Sequence, residues 1–271
     1  MSSSTSGKIT RLAEAIPLED NLHYVWRKAL RGHELSVADL HTRWGISAAA
    51  WNAIMAGEWS TLAEVLAAAL QLSPKALRHH SKYCPQVPHL TSASRLQLPF
   101  ESDFVNAWLI RDEDQTLLFD TGYGANDAHK LLSNIGAADL QLFLTHDHRD
   151  HVGGISALRS LTQKQHSLPI GSSITLGNLR IKCLDLAGHC LPSYGYLIEG
   201  LSKPLCVVGD ALFAGSIGGC PDSFTYQMAL RNLRHHVLSL TGDTILLPGH
   251  GPATTVALER AYNPFFAEPT I

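Results

Sequence analysis

The fold is decided by the stretch THDHRDHVGG, which spans residues 145–154 and directly follows an apolar run. His146 and His148 are two positions apart, so in extended backbone both rings point to the same side. Asp150 and His151 are adjacent, so their side chains diverge and can serve a neighbouring position. Four side chains of the types that bind metals, within six residues, are typical of a metal site and are avoided in a packed core.

Three distant segments share one local design, in which an apolar run is followed by glycine and then by a residue type that binds metals. They are Leu184–Gly188 before His189, Leu205–Gly209 before Asp210, and Ile245–Gly249 before His250. Taken alone, His189 or His250 would be interpreted as a hydrogen-bonded structural histidine. Buried strands that end at one sheet edge would instead bring all three residues to the histidine-rich loop.

The chain from about Leu96 onward has the pattern of an α/β domain. Short apolar runs end at turn residues, and helix-like stretches lie between some of them, which indicates a layered sheet. The predicted strands are Phe104–Ile110, Thr116–Phe119, Leu140–Leu144, Ile181–Leu186, Leu205–Val208 and Thr244–Leu247, and the predicted helices are Asn126–Leu132 and Met228–Leu238.

The chain up to about Tyr83 has helix-period patterning without a strand signal. Ser36 is placed to cap one helix, and Gly57 to stop another. Two prolines in Cys84–Pro88 break this pattern. We therefore predict a helical domain over residues 1–88 and a second domain over residues 89–271.

The composition narrows the classes of protein. Hydrophobic residues make up 45% of the chain and charged residues 17%, so a sizeable core can form. The formal net charge of −3 argues against a strongly basic nucleic-acid binder. The five cysteines form no CxxC pair, the start of the chain has no apolar signal-peptide core, and no apolar run is long enough to span a membrane. We expect a cytoplasmic protein that does not enter membranes.

The histidine-rich loop and the three glycine-preceded residues together resemble the metallo-β-lactamase superfamily, whose signature is HxHxDH followed by a remote His, Asp and His. The resemblance covers roughly Leu96 to Phe266. It is closest to the glyoxalase II-like hydrolases, also called hydroxyacylglutathione hydrolases, and Leu118–Gly122, Gly209–Gly218 and Leu247–Thr255 support it. It implies an αββα sandwich of α/β (α+β) class, here preceded by a small all-α domain.

The resemblance also implies a centre with two divalent metal ions. His146, His148 and His189 would hold one ion, Asp150, His151 and His250 the other, and Asp210 would bridge them. Asp150 and Asp210 would be the catalytic carboxylates. Asp120 would either support the ligands from behind or cap the turn before Gly122. Imidazole and carboxylate ligands suit Zn²⁺, our first candidate, and also iron or Mn²⁺.

The chemistry that follows is the hydrolysis of a small acyl thioester, such as S-lactoylglutathione, or of a related ester. A hydroxide bridging the two metals would attack the carbonyl carbon. Two positions depart from the family pattern. Cys190 follows His189 where a Thr-Pro-Gly turn is usual, and we expect it to be a packed thiol. Gly219-Cys220 stands where related short enzymes place an arginine, so an obvious partner for a substrate carboxylate is missing.

Two alternative activities remain for the same fold, and a third alternative is a different class of protein. The chain could be a lactonase, or a mononuclear iron persulfide dioxygenase that does not need His250 as a ligand. It could also be a DNA-binding regulator whose metal domain senses a ligand.

The third alternative depends on the helical part, which is similar to a Cro/repressor-type helix-turn-helix with Ser47–Met55 as its recognition helix. That helix has one candidate base reader, Asn52, and no Arg or Lys. Residues 36–66 carry one basic residue against three acidic ones. Since DNA binding draws much of its affinity from phosphate neutralisation, we favour a module that dimerises or covers the pocket. The basic group at Arg27, Lys28 and Arg31 is the main feature that favours DNA binding.

Overall fold

The computed structural model describes residues 6–267 as two six-stranded sheets packed face to face, with helices on both outer sides. The first sheet contains, in spatial order, β1 (Lys8–Arg11), β2 (Ala93–Phe100), β3 (Asp103–Asp112), β4 (Gln115–Phe119), β5 (Leu140–Phe143) and β6 (Thr162–Gln165). Strands β1 to β4 pair antiparallel, whereas β4, β5 and β6 pair parallel. The ends of β4 and β5 therefore lie at one sheet edge.

The second sheet is mixed as well. Its spatial order is β14 (Thr254–Thr255), β13 (Ile245–Pro248), β10 (Leu205–Gly209), β9 (Tyr194–Glu199), β8 (Leu179–Asp185) and β7 (Ser173–Leu176). Strands β10 and β13 are parallel, and β9 is antiparallel to both β8 and β10. Strands β8, β10 and β13 therefore run in the same direction and end at the same edge. A short hairpin of β11 (Leu212–Phe213) and β12 (Ser216–Ile217) follows β10.

Within residues 6–267, five α-helices precede β2 and four more lie within the sheet-forming part. They are α1 (Leu22–Gly32), α2 (Val37–Trp44), α3 (Ala48–Met55), α4 (Thr61–Ala69), α5 (Pro74–His79), α6 (Asp127–Asn134), α7 (Arg149–Val152), α8 (Ser223–Asn232) and α9 (Val256–Tyr262). Helix α8 continues as a π-helical turn over Leu233–Val237. None of the helices between residues 6 and 267 combines the length and apolarity needed to cross a membrane.

Three hydrophobic clusters hold the layers together. Between the sheets, Trp108, Phe119 and Phe143 of the first sheet pack with Ile181 and Val207 of the second. On the outer face of the first sheet, residues of α6 pack against the strands. On the outer face of the second sheet, residues of β10 and β13 share one cluster with α8 and the N-terminal helices. The order of layers is helix, sheet, sheet, helix.

The N-terminal helices share their core with the sandwich. Trp26 of α1 is fully buried in the cluster that contains Tyr226 and Ala229 of α8. The last residue of α1, Gly32, faces the Tyr226 ring so closely that a Cβ atom at this position would overlap it. Burial of this apolar surface fixes the helices on the outer face of α8.

The structure confirms the six predicted strands and the first predicted helix to within two residues. The second predicted helix, Met228–Leu238, is present but begins five residues earlier, at Ser223, and its last part is the π-helical turn. The Ser36 side chain caps α2 in a capping box with Asp39, as the sequence predicts, and Gly57 follows α3 with a φ of 91°. The prediction that no strand precedes Tyr83 is wrong. Lys8–Arg11 pairs antiparallel with β2 and becomes the outer strand of the first sheet. Four residues with only one buried position carry too weak an alternation to be recognised.

Candidate metal centre

The candidate site lies at the sheet edge where five strands end. Strand β5 leads into His146, and β4 leads into Asp120. Strands β8, β10 and β13 lead into His189, Asp210 and His250, respectively. Because these strands run in the same direction within each sheet, residues far apart in sequence meet at one edge.

Three histidines form the first group of the centre. Nδ1 of His148 lies 3.1 Å from Nε2 of His146 and 3.2 Å from Nε2 of His189. His146 is buried, His189 is partly buried and His148 is exposed. Three imidazole nitrogens thus converge on one point that is open to solvent on the His148 side.

Four residues form the second group, which lies deeper. Nε2 of His250 lies 3.2 Å from Oδ2 of Asp150, and Nε2 of His151 lies 3.3 Å from Oδ1 of Asp210. His151 is completely buried. Two carboxylates and two imidazoles therefore face each other in a largely enclosed space.

Asp210 lies between the two groups. Its Oδ2 atom is 3.5 Å from Nε2 of His250 in the second group and 3.7 Å from Nε2 of His189 in the first. The structure therefore brings together all seven residues that the sequence predicts as metal ligands, in the two groups that the resemblance implies.

The donor set fits a cation. Nε2 of His151 and Oδ1 of Asp210 are buried and lie 3.3 Å apart without forming a hydrogen bond, and neither has a hydrogen-bond partner among the described residues. A buried polar atom without a partner is costly, and both atoms face the interior of the second group. Imidazole nitrogens with carboxylate oxygens are a donor set that suits zinc, iron or manganese.

The surrounding hydrogen bonds fix the orientation of the rings. Asp120 Oδ2 lies 2.8 Å from Nδ1 of His151, and the same carboxylate accepts hydrogen bonds from the backbone N–H and the hydroxyl of Thr145, each at 2.8 Å. Nδ1 of His189 lies 2.7 Å from the Gly219 carbonyl, and Nδ1 of His250 lies 3.1 Å from the Phe104 carbonyl. Such outer contacts leave Nε2 of each ring facing the centre.

The charges of the centre are strongly coupled. Burial alone would raise the pKa of Asp210, but His151 and His250 hold it well below its usual range. Burial would lower the pKa of His250, but Asp210 and the hydrogen bond to Asp150 raise it to about 9. Burial lowers the pKa of His146 to about 4. The carboxylates are therefore ionised, and positive charge is favoured beside them.

Two glycines allow the strand ends to approach the centre. A Cβ atom on Gly249 would overlap Oδ1 of Asp210 and the ring of His151. Gly209 has a φ of 50°, and a Cβ atom there would lie 2.7 Å from the Thr145 hydroxyl oxygen. The glycine before each of these ligand-type residues thus has a steric reason.

Cys190 and three tyrosines on elements near the centre have packing roles in the structure. Cys190 is partly buried and its thiol lies 3.2 Å from Oδ1 of Asp147, and burial raises its pKa. The Tyr196 hydroxyl donates to the Leu144 carbonyl, and Tyr226 lies in the cluster with α1. Tyr194 packs against the core between the sheets. A thiol without a base beside it has no means of becoming a nucleophile.

The N-terminal part also reaches the centre, through contacts that the sequence does not predict. Oε2 of Glu19 lies 3.9 Å from Nδ1 of His250. Lys28 of α1 forms an ion pair with Asp20, donates to the Ile217 carbonyl at 2.8 Å, and lies 4.8 Å from the centre of the Phe213 ring. The contacts with Phe213, Ile217 and His250 each join residues at least 185 positions apart, so no local pattern could reveal them.

Comparisons with known proteins agree with this geometry. Residues 101–169 match the family model described as the metallo-β-lactamase superfamily. The solved structure of BLEG-1 B3 metallo-β-lactamase has a TM-score of 0.53 and 25% sequence identity, and covers 64% of this chain and 99% of its own. The fold is therefore that of the metallo-β-lactamases.

The sequence relatives include two bacterial proteins. The probable metallo-hydrolase YqgX of Bacillus subtilis is 26% identical over 194 residues, which covers 59% of this chain and 91% of the relative. The hydroxyacylglutathione hydrolase GloC of Haemophilus influenzae is 27% identical over 192 residues, covering 57% and 88%.

Proposed function

We propose that the chain is a metal-dependent hydrolase of acyl thioesters, such as S-lactoylglutathione or a related compound. The observation that carries this proposal is the pair of groups joined at Asp210, with unpartnered buried atoms on His151 and Asp210. The similarity to a hydroxyacylglutathione hydrolase supports the substrate class.

In this proposal the seven residues hold two divalent ions, with zinc as the first candidate and iron or manganese as the others. His146, His148 and His189 would hold one ion, and Asp150, His151 and His250 would hold the second. Asp210 contributes to both, since its Oδ2 atom lies within 3.7 Å of each group. When bound, such ions supply Lewis acidity towards an acyl carbonyl and towards water.

The residues of the chain orient and balance this centre. Asp120 holds His151 from behind, and backbone carbonyls hold His189 and His250, so that their Nε2 atoms stay aimed inward. The ionised Asp150 and Asp210 balance the positive charge. A thiolate is a good leaving group, so the reaction does not require a strong general acid from the protein.

The alternatives differ in how many ions they need. A mononuclear persulfide dioxygenase has no need of His250 as a ligand, whereas here Nε2 of His250 lies 3.2 Å from Asp150 and 3.5 Å from Asp210. This geometry favours a two-ion centre. A lactonase uses the same centre on another ester and must be separated by assay.

The role of the N-terminal helices is a separate proposal. We infer that they cover the site and do not bind DNA, because α3 (Ala48–Met55) has no Arg or Lys. Dimerisation through these helices stays a prediction.

The experiment is a substrate panel on the metal-loaded protein, comprising thioesters, lactones, and a persulfide with oxygen uptake as the readout. We expect thioester hydrolysis, and we expect it to be abolished in Asp210→Ala. Asp147→Ala is the matched control, since Asp147 is exposed in the same loop and belongs to neither group. Oxygen uptake with one iron per chain, or full thioester hydrolysis by Asp210→Ala, would contradict the proposal.

A further inference from the structure

A groove of about 910 Å³ lies between the N-terminal helices and the loop that follows β12. One wall is α1, a second wall includes Trp51 and Met55 of α3, and the third is formed by Gly219 and Cys220. A volume of this size can hold an organic ligand of several hundred daltons.

The α1 wall is basic. His23, Arg27 and Arg31 are spaced by four residues and therefore share one helix face, and Lys28 lies beside them. No Asp or Glu is among the described residues that line the groove. Lys28 is held by Asp20, whereas Arg27 and Arg31 are exposed and have no ion pair within residues 6–267. A basic helix face is often only a solvated surface, but this basic face borders a concave space.

The other walls are aromatic and apolar. Trp51 and Met55 line the groove, and Tyr24 is 52% exposed beside them. Cations beside aromatic and aliphatic surface suit a ligand that carries anionic groups on a partly apolar body.

The groove shares a wall with the candidate metal centre. The Gly219 carbonyl that forms part of the groove loop lies 2.7 Å from Nδ1 of His189. Lys28 fixes the same loop through the Ile217 carbonyl. The sequence has no arginine at Gly219-Cys220, and the structure places the cations of α1 next to this loop instead.

We propose that this groove binds the anionic carrier portion of the thioester substrate, with Arg27 and Arg31 contacting its carboxylates or phosphates. The inference rests on the proposed function and names the part of the substrate that the N-terminal helices recognise. Both kinds of carrier, a thiol peptide with carboxylates and a nucleotide thiol with phosphates, present the required chemistry.

The test is calorimetric binding of S-methylglutathione and S-methyl coenzyme A to the metal-loaded protein. These thioethers lack a free thiol, so direct thiolate coordination does not contribute. We expect one of them to bind, with an affinity that falls as salt is raised, and the one that binds identifies carboxylates or phosphates as the recognised groups. The double variant Arg27→Ala/Arg31→Ala should raise the Kd of the bound carrier by about tenfold or more.

Arg43→Ala is the matched control, because Arg43 is exposed on α2 and does not line the groove. Its Kd should stay within about twofold of the wild-type value. In hydrolysis assays the double variant should raise KM for the anionic thioester and leave the kinetics of a neutral N-acetylcysteamine thioester unchanged.

The outcomes are distinguishable from a failure of the proposed function. Carrier binding that depends on Arg27 and Arg31, without thioester hydrolysis, would contradict the proposed function and leave the groove assignment intact. Absence of binding by both carriers, or equal binding by the double variant, would overturn the assignment. Binding of duplex DNA in place of the carriers, lost in the double variant, would make the groove a nucleic-acid surface and overturn it as well.

Discussion

The metal centre and the contact between the N-terminal helices and α8 are built on different physical principles. The centre is polar, and each of its side chains has a separate task, as when Asp120 holds one face of His151 while Asp210 meets the other. The helix contact is mostly apolar and spreads over many buried side chains, including Trp26 and Tyr226. Loss of one side chain should therefore remove function at the centre, but only reduce stability at the helix contact.

The largest expected effect is a difference in metal binding and hydrolysis between variants of a buried and an exposed histidine of the centre. His151 is completely buried, so water cannot easily take its place, whereas His148 is exposed and a water molecule can replace its ring. His151→Ala should lower metal affinity and hydrolysis by at least about a hundredfold, and His148→Ala should cost less. Metal titration and steady-state kinetics of the two variants measure this difference. Equal losses would show that burial does not separate the two groups.

A smaller effect is expected where α1 meets α8. Gly32→Ala places a Cβ atom into the Tyr226 ring, which must move. The free energy of unfolding should fall by about 1–3 kcal/mol, as is usual for overpacking. Denaturant unfolding of the metal-loaded protein measures this change. Wild-type stability in Gly32→Ala would mean that α1 does not pack against Tyr226 as the structure has it.

The smallest effect concerns pH and the ring of His80, which is buried beside the hairpin loop. Nε2 of His80 lies 3.0 Å from the Gly215 carbonyl, and burial lowers the pKa of the ring. The unfolded chain therefore takes up the proton first. The stabilising contribution is present above the unfolded pKa of about 6.5 and is lost as pH falls towards the lower folded value.

Unfolding measured across this pH range should show a slope in the wild-type protein that is reduced in His80→Gln. His41→Gln, at an exposed ring on α2, serves as the control and should keep the slope. An unchanged slope in His80→Gln would assign the pH dependence to other groups.

The metal centre and the helix contact also differ in how far the sequence predicts them. The seven ligand-type residues follow strand ends or lie in one loop, so local pattern was enough to select them before their geometry was known. The sequence does not predict the edge strands β1, β6 and β7, because edge strands with exposed side chains lack a clear alternation. It also does not predict the inner strands β2 and β9. The contact of Lys28 with the Ile217 carbonyl depends on the docking of α1, which no local pattern encodes.

The most direct test of the account is the number of metal ions bound per chain, measured by elemental analysis of purified wild-type protein, Asp210→Ala and Asp147→Ala. We expect two ions in the wild-type protein and in Asp147→Ala, and fewer in Asp210→Ala, because one carboxylate faces both groups. One ion in the wild-type protein, or two ions retained in Asp210→Ala, would contradict this expectation.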